Sequence, residues 1–194
     1  MVNKYLIGVA GTHSTGKSSF CRALHESLKR NDIRVSVVPS FGRLAVKLGI
    51  PLLKDHTYES TLWFINKTLE EKKIALDSSD VVIVERPEID SFSYWKAAIN
   101  CNKKDWPIEE RNIIESIILN ESKCYTHLFA TNINNSIPLG PGRDTDIEFR
   151  NSVDFYLHQS LQTLSLKFTE LRSDDYQNIL IRLKKEILTS METK

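Results

Sequence analysis

Residues Gly11-Thr12-His13-Ser14-Thr15-Gly16-Lys17-Ser18 fit the spacing G-x-x-x-x-G-K-[ST]. No other stretch restricts the fold so tightly, because this pattern works only where a strand ends and a helix begins. The glycines let the backbone wrap around a phosphate chain, with N–H groups pointing inward. Lys17 can set a positive charge on the β- and γ-phosphates, and Ser18 can offer its hydroxyl to Mg²⁺. Tyr5 to Ala10 before the motif read as a short buried strand. After it, Ser19 opens a segment in which Phe20, Cys21, Leu24 and Leu28 share one helical face. A helix N-terminus placed there adds its own partial positive charge. The motif therefore predicts a nucleotide with magnesium before it predicts a reaction.

The rest of the chain alternates between the two periods. Strands are expected at Val35–Val38, Val81–Val84, His127–Thr131 and Leu166–Phe168. Helices are expected over 57–76, 108–119 and 147–164, with a last one marked by Tyr176, Leu180, Leu183 and Ile187. Val81-Val82-Ile83-Val84 is apolar throughout, as a parallel strand covered on both faces would be. Such alternation implies an α/β fold, a parallel sheet between helices, with ligands beyond the C-terminal strand ends. At 194 residues and 41% hydrophobic content the chain suits a single domain, 1–194. A formal charge of +1 gives no bulk attraction to nucleic acid or to an anionic membrane, although a local basic groove would still permit nucleic acid. No membrane-length apolar run and no secretory pattern is visible. Cys21, Cys101 and Cys124 are odd in number and form no C-x-x-C pair. Together these features point to reduced thiols in a cytoplasmic protein. A homodimer is compatible with the chain.

A second cluster follows the apolar strand: Glu85-Arg86-Pro87, then Glu88 and Asp90. A carboxylate at the tip of a strand beside the phosphate loop can hold magnesium or accept a proton from an attacking hydroxyl. Glu85 is the candidate for both, and Ser18 with Glu85 forms the expected metal pair. Arg86 can reach the transferring phosphoryl group or the neighbourhood of the substrate's hydroxyl. Asp90 either contacts substrate or caps a helix beginning near Ser91. The long irregular stretch from Asn132 to Asp146 carries Pro138, Gly140, Pro141, Gly142 and Arg143. It reads as a lid, about 137–150, that brings Arg143 to the γ-phosphate. Arg150, two helical turns on, could face the same side, while Asp146 could simply cap the helix.

These residues resemble the P-loop kinases of the nucleoside/nucleotide kinase-like group. The nearest likeness is to the kinase domain type of ribosylnicotinamide kinases in the bifunctional NAD-regulator family. Ala10 to Ser18 are similar to that type nearly residue by residue. Glu85-Arg86-Pro87 looks like the Glu-Arg-Ser or Asp-Arg-Ser motif of deoxynucleoside kinases, with Pro87 in place of serine. The resemblance implies a three-layer P-loop NTPase fold with a five-stranded parallel sheet, Mg-ATP as phosphoryl donor, and a small nucleoside-like or nucleotide-like acceptor. One departure stands out. Such kinases often carry a Val-Pro-Glu setting after the second strand, its glutamate serving as base, whereas this chain reads Val38-Pro39-Ser40. Ser40 cannot replace a carboxylate at neutral pH, so either Glu85 takes over, or Asp55, Glu59 or Asp90 supplies the base, or the acceptor differs from a simple nucleoside, or kinase activity is lost. Arg43 nearby is a candidate acceptor contact. Tyr58, Trp63, Phe64, Tyr94 and Trp95 could stack on a ring, although aromatics at helical spacing usually pack inside.

Three functions compete. The first is a kinase for a small hydroxyl-bearing acceptor. The second is a kinase acting on a nucleotide within DNA or RNA, which the neutral charge disfavours. The third is an ATP-binding regulator without transfer. A GTPase is disfavoured because Asn66-Lys67-Thr68-Leu69 lacks the aspartate of a guanine-reading Asn-Lys-x-Asp.

Overall fold

The computed structural model describes residues 4–29, 31–134, 136–139 and 144–192. Among these residues, strands β1 (Tyr5–Ala10), β2 (Val35–Val38), β3 (Val81–Glu85), β4 (His127–Thr131) and β5 (Thr169–Leu171) form one sheet. Its order is β2-β3-β1-β4-β5, and every pairing is parallel. The helices are α1 (Lys17–Lys29), α2 (Gly42–Leu48), α3 (Tyr58–Ser78), α4 (Glu88–Cys101), α5 (Ile108–Ser122), α6 (Ile147–Thr163) and α7 (Tyr176–Glu192). This is the expected P-loop arrangement. No helix among the described residues is long and apolar enough to cross a membrane.

The period-two pattern of the strands explains the layers. Tyr5, Ile7 and Val9 of β1, with Val81 and Ile83 of β3, face Phe20, Leu24 and Leu28 of α1 and Leu183 and Ile187 of α7. On the opposite side Ala10, Leu128 and Ala130 meet Ile65, Phe92, Ile114 and Leu157 from α3, α4, α5 and α6. Both faces of β3 are covered, and that is why its run of Val81 to Val84 is apolar throughout.

Two local expectations need correction, and one helix was not anticipated. The fifth strand lies at Thr169–Leu171, not at Leu166–Phe168. Leu166 and Phe168 are apolar because they pack back against the α3–α6 side. The strand itself is an edge, held by its ladder to β4, with Thr169 and Glu170 exposed. Helix α4 begins at Glu88 after Pro87, so Asp90 sits inside the first turn and caps nothing near Ser91. The short helix α2 has no counterpart in the expected elements, since its outward Val46 and Leu48 blur any amphipathic pattern.

Capping fixes the two helices that flank the site. Thr57 and Ser60 form a reciprocal capping box at the start of α3. Asp146 accepts a hydrogen bond from the Phe149 N–H at 2.9 Å, so it does cap α6, and it also pairs with Lys54 from the turn before α3.

Candidate active site

The phosphate loop joins the central strand to α1 and is braced from four sides. Gly11 has φ +148°, and a Cβ there would lie 1.9 Å from Thr131 Oγ1, so no larger residue fits. Thr131, at the tip of β4, donates to the Ala10 carbonyl at 3.1 Å and shares a 2.7 Å hydrogen bond with Thr15. Asp90 Oδ1 accepts the Gly11 N–H at 3.0 Å. From α6, Arg150 donates through Nε to the His13 carbonyl at 3.1 Å and through a terminal nitrogen to the Ser14 carbonyl at 3.0 Å. Arg86 donates to the Gly11 carbonyl at 3.3 Å and to Asp90 Oδ2 at 3.2 Å.

Lys17 is buried at the base of this loop. Its ammonium donates to the Thr12 carbonyl and, at 3.2 Å, to Thr15 Oγ1. Burial and the charge of Arg86 hold its pKa well below the ordinary lysine range. Anionic oxygens entering the loop reverse that imbalance. Ser18 Oγ donates to Glu85 Oε1 at 2.6 Å. These two hard oxygen donors sit side by side at the mouth of the loop and fit Mg²⁺, which takes few protein ligands and completes its shell with water and phosphate oxygens.

Arg86 has φ +72°, a left-handed conformation that an arginine adopts at a cost of the order of 1 kcal/mol or more. The strained backbone turns the side chain from the tip of β3 over the loop, where the guanidinium lies 5.3 Å from the Tyr94 ring centroid. Tyr94 approaches His13 Nδ1 at 3.4 Å, and His13 Nε2 lies 3.2 Å from the Asp144 carbonyl. A carbonyl only accepts, so Nε2 carries the proton and Nδ1 receives the Tyr94 hydroxyl. Burial, then Arg86 and Arg150, pull the His13 pKa down to about 4, and the ring is neutral.

The expected site residues thus fall into groups. Gly11 to Ser18, Glu85, Arg86, Asp90 and Arg150 converge, while Ser19 lies in the first turn of α1. Asp90 spends both oxygens on Gly11 and Arg86, and burial pushes its pKa up. Arg150 grips the loop backbone. Both residues therefore shape the loop. Arg43 is exposed on α2. Arg143 lies outside the described residues, as does part of the 137–150 stretch; Ile137 comes down over Gly16, its Cδ1 3.8 Å from where a Cβ would stand. Asp55 and Glu59 are exposed in the turn before α3 and in its first turn. Trp95 is core, at 3% exposure, whereas Tyr94 lines the site.

Sequence reasoning named Thr131 and Glu88 but gave neither a role. Thr131 carried a signal, a polar residue ending an apolar strand. Glu88 is buried against Lys72 at 2.6 Å and accepts the Tyr125 hydroxyl at 2.9 Å, anchoring the turn between Arg86 and Asp90. Nothing in the local sequence joins residues 72, 88 and 125.

The comparisons with known proteins bear on the fold. No curated protein matches the sequence. The solved structure of NadR protein in complex with NR superposes with a TM-score of 0.67 at 13% identity, covering 94% of this chain and 50% of that one. The chain thus spans half the length of NadR. Deoxyadenosine kinase from M. mycoides with bound dATP gives 0.63 at 14% identity, covering 95% and 99%. At such identities the likeness establishes a shared P-loop fold. The model of a sequence family described as AAA domain matches residues 6–178, and the chain belongs to that family.

Proposed function

We propose that this chain is an ATP- and Mg²⁺-dependent kinase that transfers the γ-phosphoryl group to a hydroxyl of a nucleoside-like or nucleotide-like small molecule. The observation that carries the reading is the Ser18–Glu85 oxygen pair, 2.6 Å apart beside the buried Lys17. The NadR and deoxyadenosine kinase structures share the fold and bear nucleoside-related ligands in their names, which supports the choice of acceptor class. The unit runs over 1–194 with a lid at about 137–150, in a cytoplasmic setting.

The roles follow from placement. The backbone N–H groups of residues 11–18 cradle the phosphates, and Lys17 leaves the Thr12 carbonyl to meet the β- and γ-oxygens. Ser18 and Glu85 would hold Mg²⁺, which neutralises phosphate charge when bound. Arg86 and, from the lid, Arg143 stabilise the equatorial oxygens of the moving group. Of the four carboxylates weighed as base, Asp55 and Glu59 are exposed and Asp90 has both oxygens held by Gly11 and Arg86, whereas Glu85 has only one oxygen bound, to Ser18, and is assigned the role. A loose transition state asks little of a base, because the hydroxyl proton leaves late.

The serine at position 40 favours a second reading, an ATP-binding regulator without transfer. One experiment separates them: labelled ATP with Mg²⁺ against nucleosides, nucleotides, ribosylnicotinamide and oligonucleotides. The kinase reading expects label on a small acceptor, lost in Lys17→Ala and strongly reduced in Glu85→Gln. ATP binding with no labelled acceptor would establish the regulator, and label on oligonucleotides alone would move the acceptor into a polymer.

A further inference from the structure

Tyr94 stands one helical turn beyond Asp90 on α4, and Asp90 stands four residues beyond Arg86. That spacing brings both side chains onto one guanidinium. Asp90 Oδ2 accepts from Arg86 Nη1 at 3.2 Å, and the Tyr94 ring centroid lies 5.3 Å from the guanidinium carbon. The half-buried ring is itself wedged, against Phe149 at 6.2 Å and His56 at 6.3 Å. A phenyl ring would make the same three ring contacts, so packing alone does not account for a hydroxyl. Arg86 also keeps its left-handed backbone only where its surroundings over-determine it.

The hydroxyl reaches into the phosphate loop, 3.4 Å from His13 Nδ1. The other end of that buried imidazole is engaged, because Nε2 lies 3.2 Å from the Asp144 carbonyl, which can only accept. Asp144 is held in turn. Its carboxylate accepts the Asp146 N–H at 3.1 Å, and Asp146 caps α6. The proton therefore sits on Nε2, Nδ1 accepts, and the single Tyr94 hydroxyl proton points to it. The lone pairs left on the hydroxyl oxygen suit a donor, and the guanidinium beside the ring carries only donors. A line of contacts thus runs from the capped start of α6 through His13 and Tyr94 to Arg86. Each member orients the next.

We propose that Tyr94 and His13 are positioning residues for Arg86: anchored on the Asp144 carbonyl, they aim the guanidinium across the phosphate loop at the terminal phosphoryl group of the nucleotide. The inference rests on the kinase reading for the phosphoryl step alone.

Tyr94→Phe is the test, because it keeps the ring contacts and removes only the hydroxyl. Slow Mg-ATP hydrolysis, in which water stands in for the acceptor, reads the phosphoryl step. Its kcat should fall roughly tenfold, as misplacing a charged group at the reacting centre does, while KM for ATP stays within about twofold. In an Arg86→Met background the same change should cost less than about twofold, since a residue that acts through Arg86 has nothing left to act on. Wild-type kcat in Tyr94→Phe, or equal losses in both backgrounds, would overturn the proposal. Spectra of the ¹⁵N-labelled full chain give a second readout that needs no turnover. His13 should show the Nε2–H tautomer at pH 7, and its Nδ1 resonance should move in Tyr94→Phe toward that of a nitrogen without a donor. The Arg86 Nε–H resonance should shift when Mg-ATP is added to the wild type, and shift by less in Tyr94→Phe. An Nδ1–H tautomer in the wild type, an unmoved Nδ1 resonance, or equal Arg86 shifts would overturn the proposal; the tautomer decides even if the variant fails to fold. A wild type with the expected shifts and no labelled acceptor overturns the kinase reading and upholds the positioning.

Discussion

Replacing Lys72 with methionine tests the buried network beneath the site. Lys72 Nζ lies 2.6 Å from Glu88 Oε1 and 2.7 Å from Glu121 Oε2, with side-chain exposures of 5% for Lys72, 3% for Glu88 and 28% for Glu121. Methionine keeps the length and most of the packing over the Tyr125 ring but leaves the Glu88 carboxylate without its cation. Breaking a buried pair in this way costs about 3–5 kcal/mol. The lower end applies, because Tyr125 still donates to Glu88 and Glu121 can turn to water. A loss of about 3 kcal/mol lowers Tm by about 6–12 °C for a domain of this size. Urea unfolding at pH 7 measures it directly. Adding Glu88→Gln removes the stranded charge, keeps an acceptor for Tyr125, and should return about 2 kcal/mol. Burial opposes the Lys72 charge, but Glu88 and Glu121 outweigh it, and the pKa stands above the ordinary value. A raised lysine stabilises the fold below its unfolded pKa, about 10.4, and that contribution fades as pH climbs through the folded value. Wild-type stability should therefore fall at strongly alkaline pH by an amount the Met variant lacks. A Met variant within about 1 kcal/mol of wild type, or a double variant no better than the single, would refute the assignment of a buried, charge-compensated anchor.

Gly11→Ala should destabilise the protein by about 2 kcal/mol or more and abolish nucleotide binding, since the new methyl meets Thr131 Oγ1 at 1.9 Å; a thermal melt and an ATP titration check both. Arg150→Met removes two hydrogen bonds to loop carbonyls, and it should cost about 2–3 kcal/mol and at least tenfold in ATP affinity; unchanged affinity would show that the loop holds its shape without α6. His13 and His56, held down to about 4 and about 3 chiefly by burial, take up protons more readily in the unfolded chain. Stability should therefore fall as pH drops from about 6.5 toward those values, and His56→Phe should flatten the lower part of that slope in acid unfolding curves.

The layers were legible from periodicity because burial on two faces writes an apolar run and burial on one face writes a helical stripe. Strands β1, β2 and β4 lie where the pattern put them. Strand β5 did not, since an edge strand is defined by its ladder and can be polar, as Thr169 and Glu170 are. The Gly11–Ser18 loop announced itself because its geometry demands particular residue types. Its bracing did not. Thr131, Asp90 and Arg150 are 116, 75 and 135 residues from Thr15, and only the fold brings them together. Nothing in the local sequence sets His56 apart, and that its ring nitrogens lack partners among the described residues becomes visible only when its neighbours are known.

The bracing of the loop carries a consequence for the timing of ligand capture. A loop that must be ordered by its ligand charges that ordering to the binding step and slows association. Here the backbone cradle is already held by protein hydrogen bonds from β4, α4 and α6, with nothing left to fold. The group that must move is one ammonium, which exchanges the Thr12 carbonyl for phosphate oxygens. A side-chain rotation of that kind takes nanoseconds or less. Nucleotide capture should then be a single fast phase in stopped flow, its rate linear in nucleotide concentration, with any slower phase assigned to the lid proposed for about 137–150.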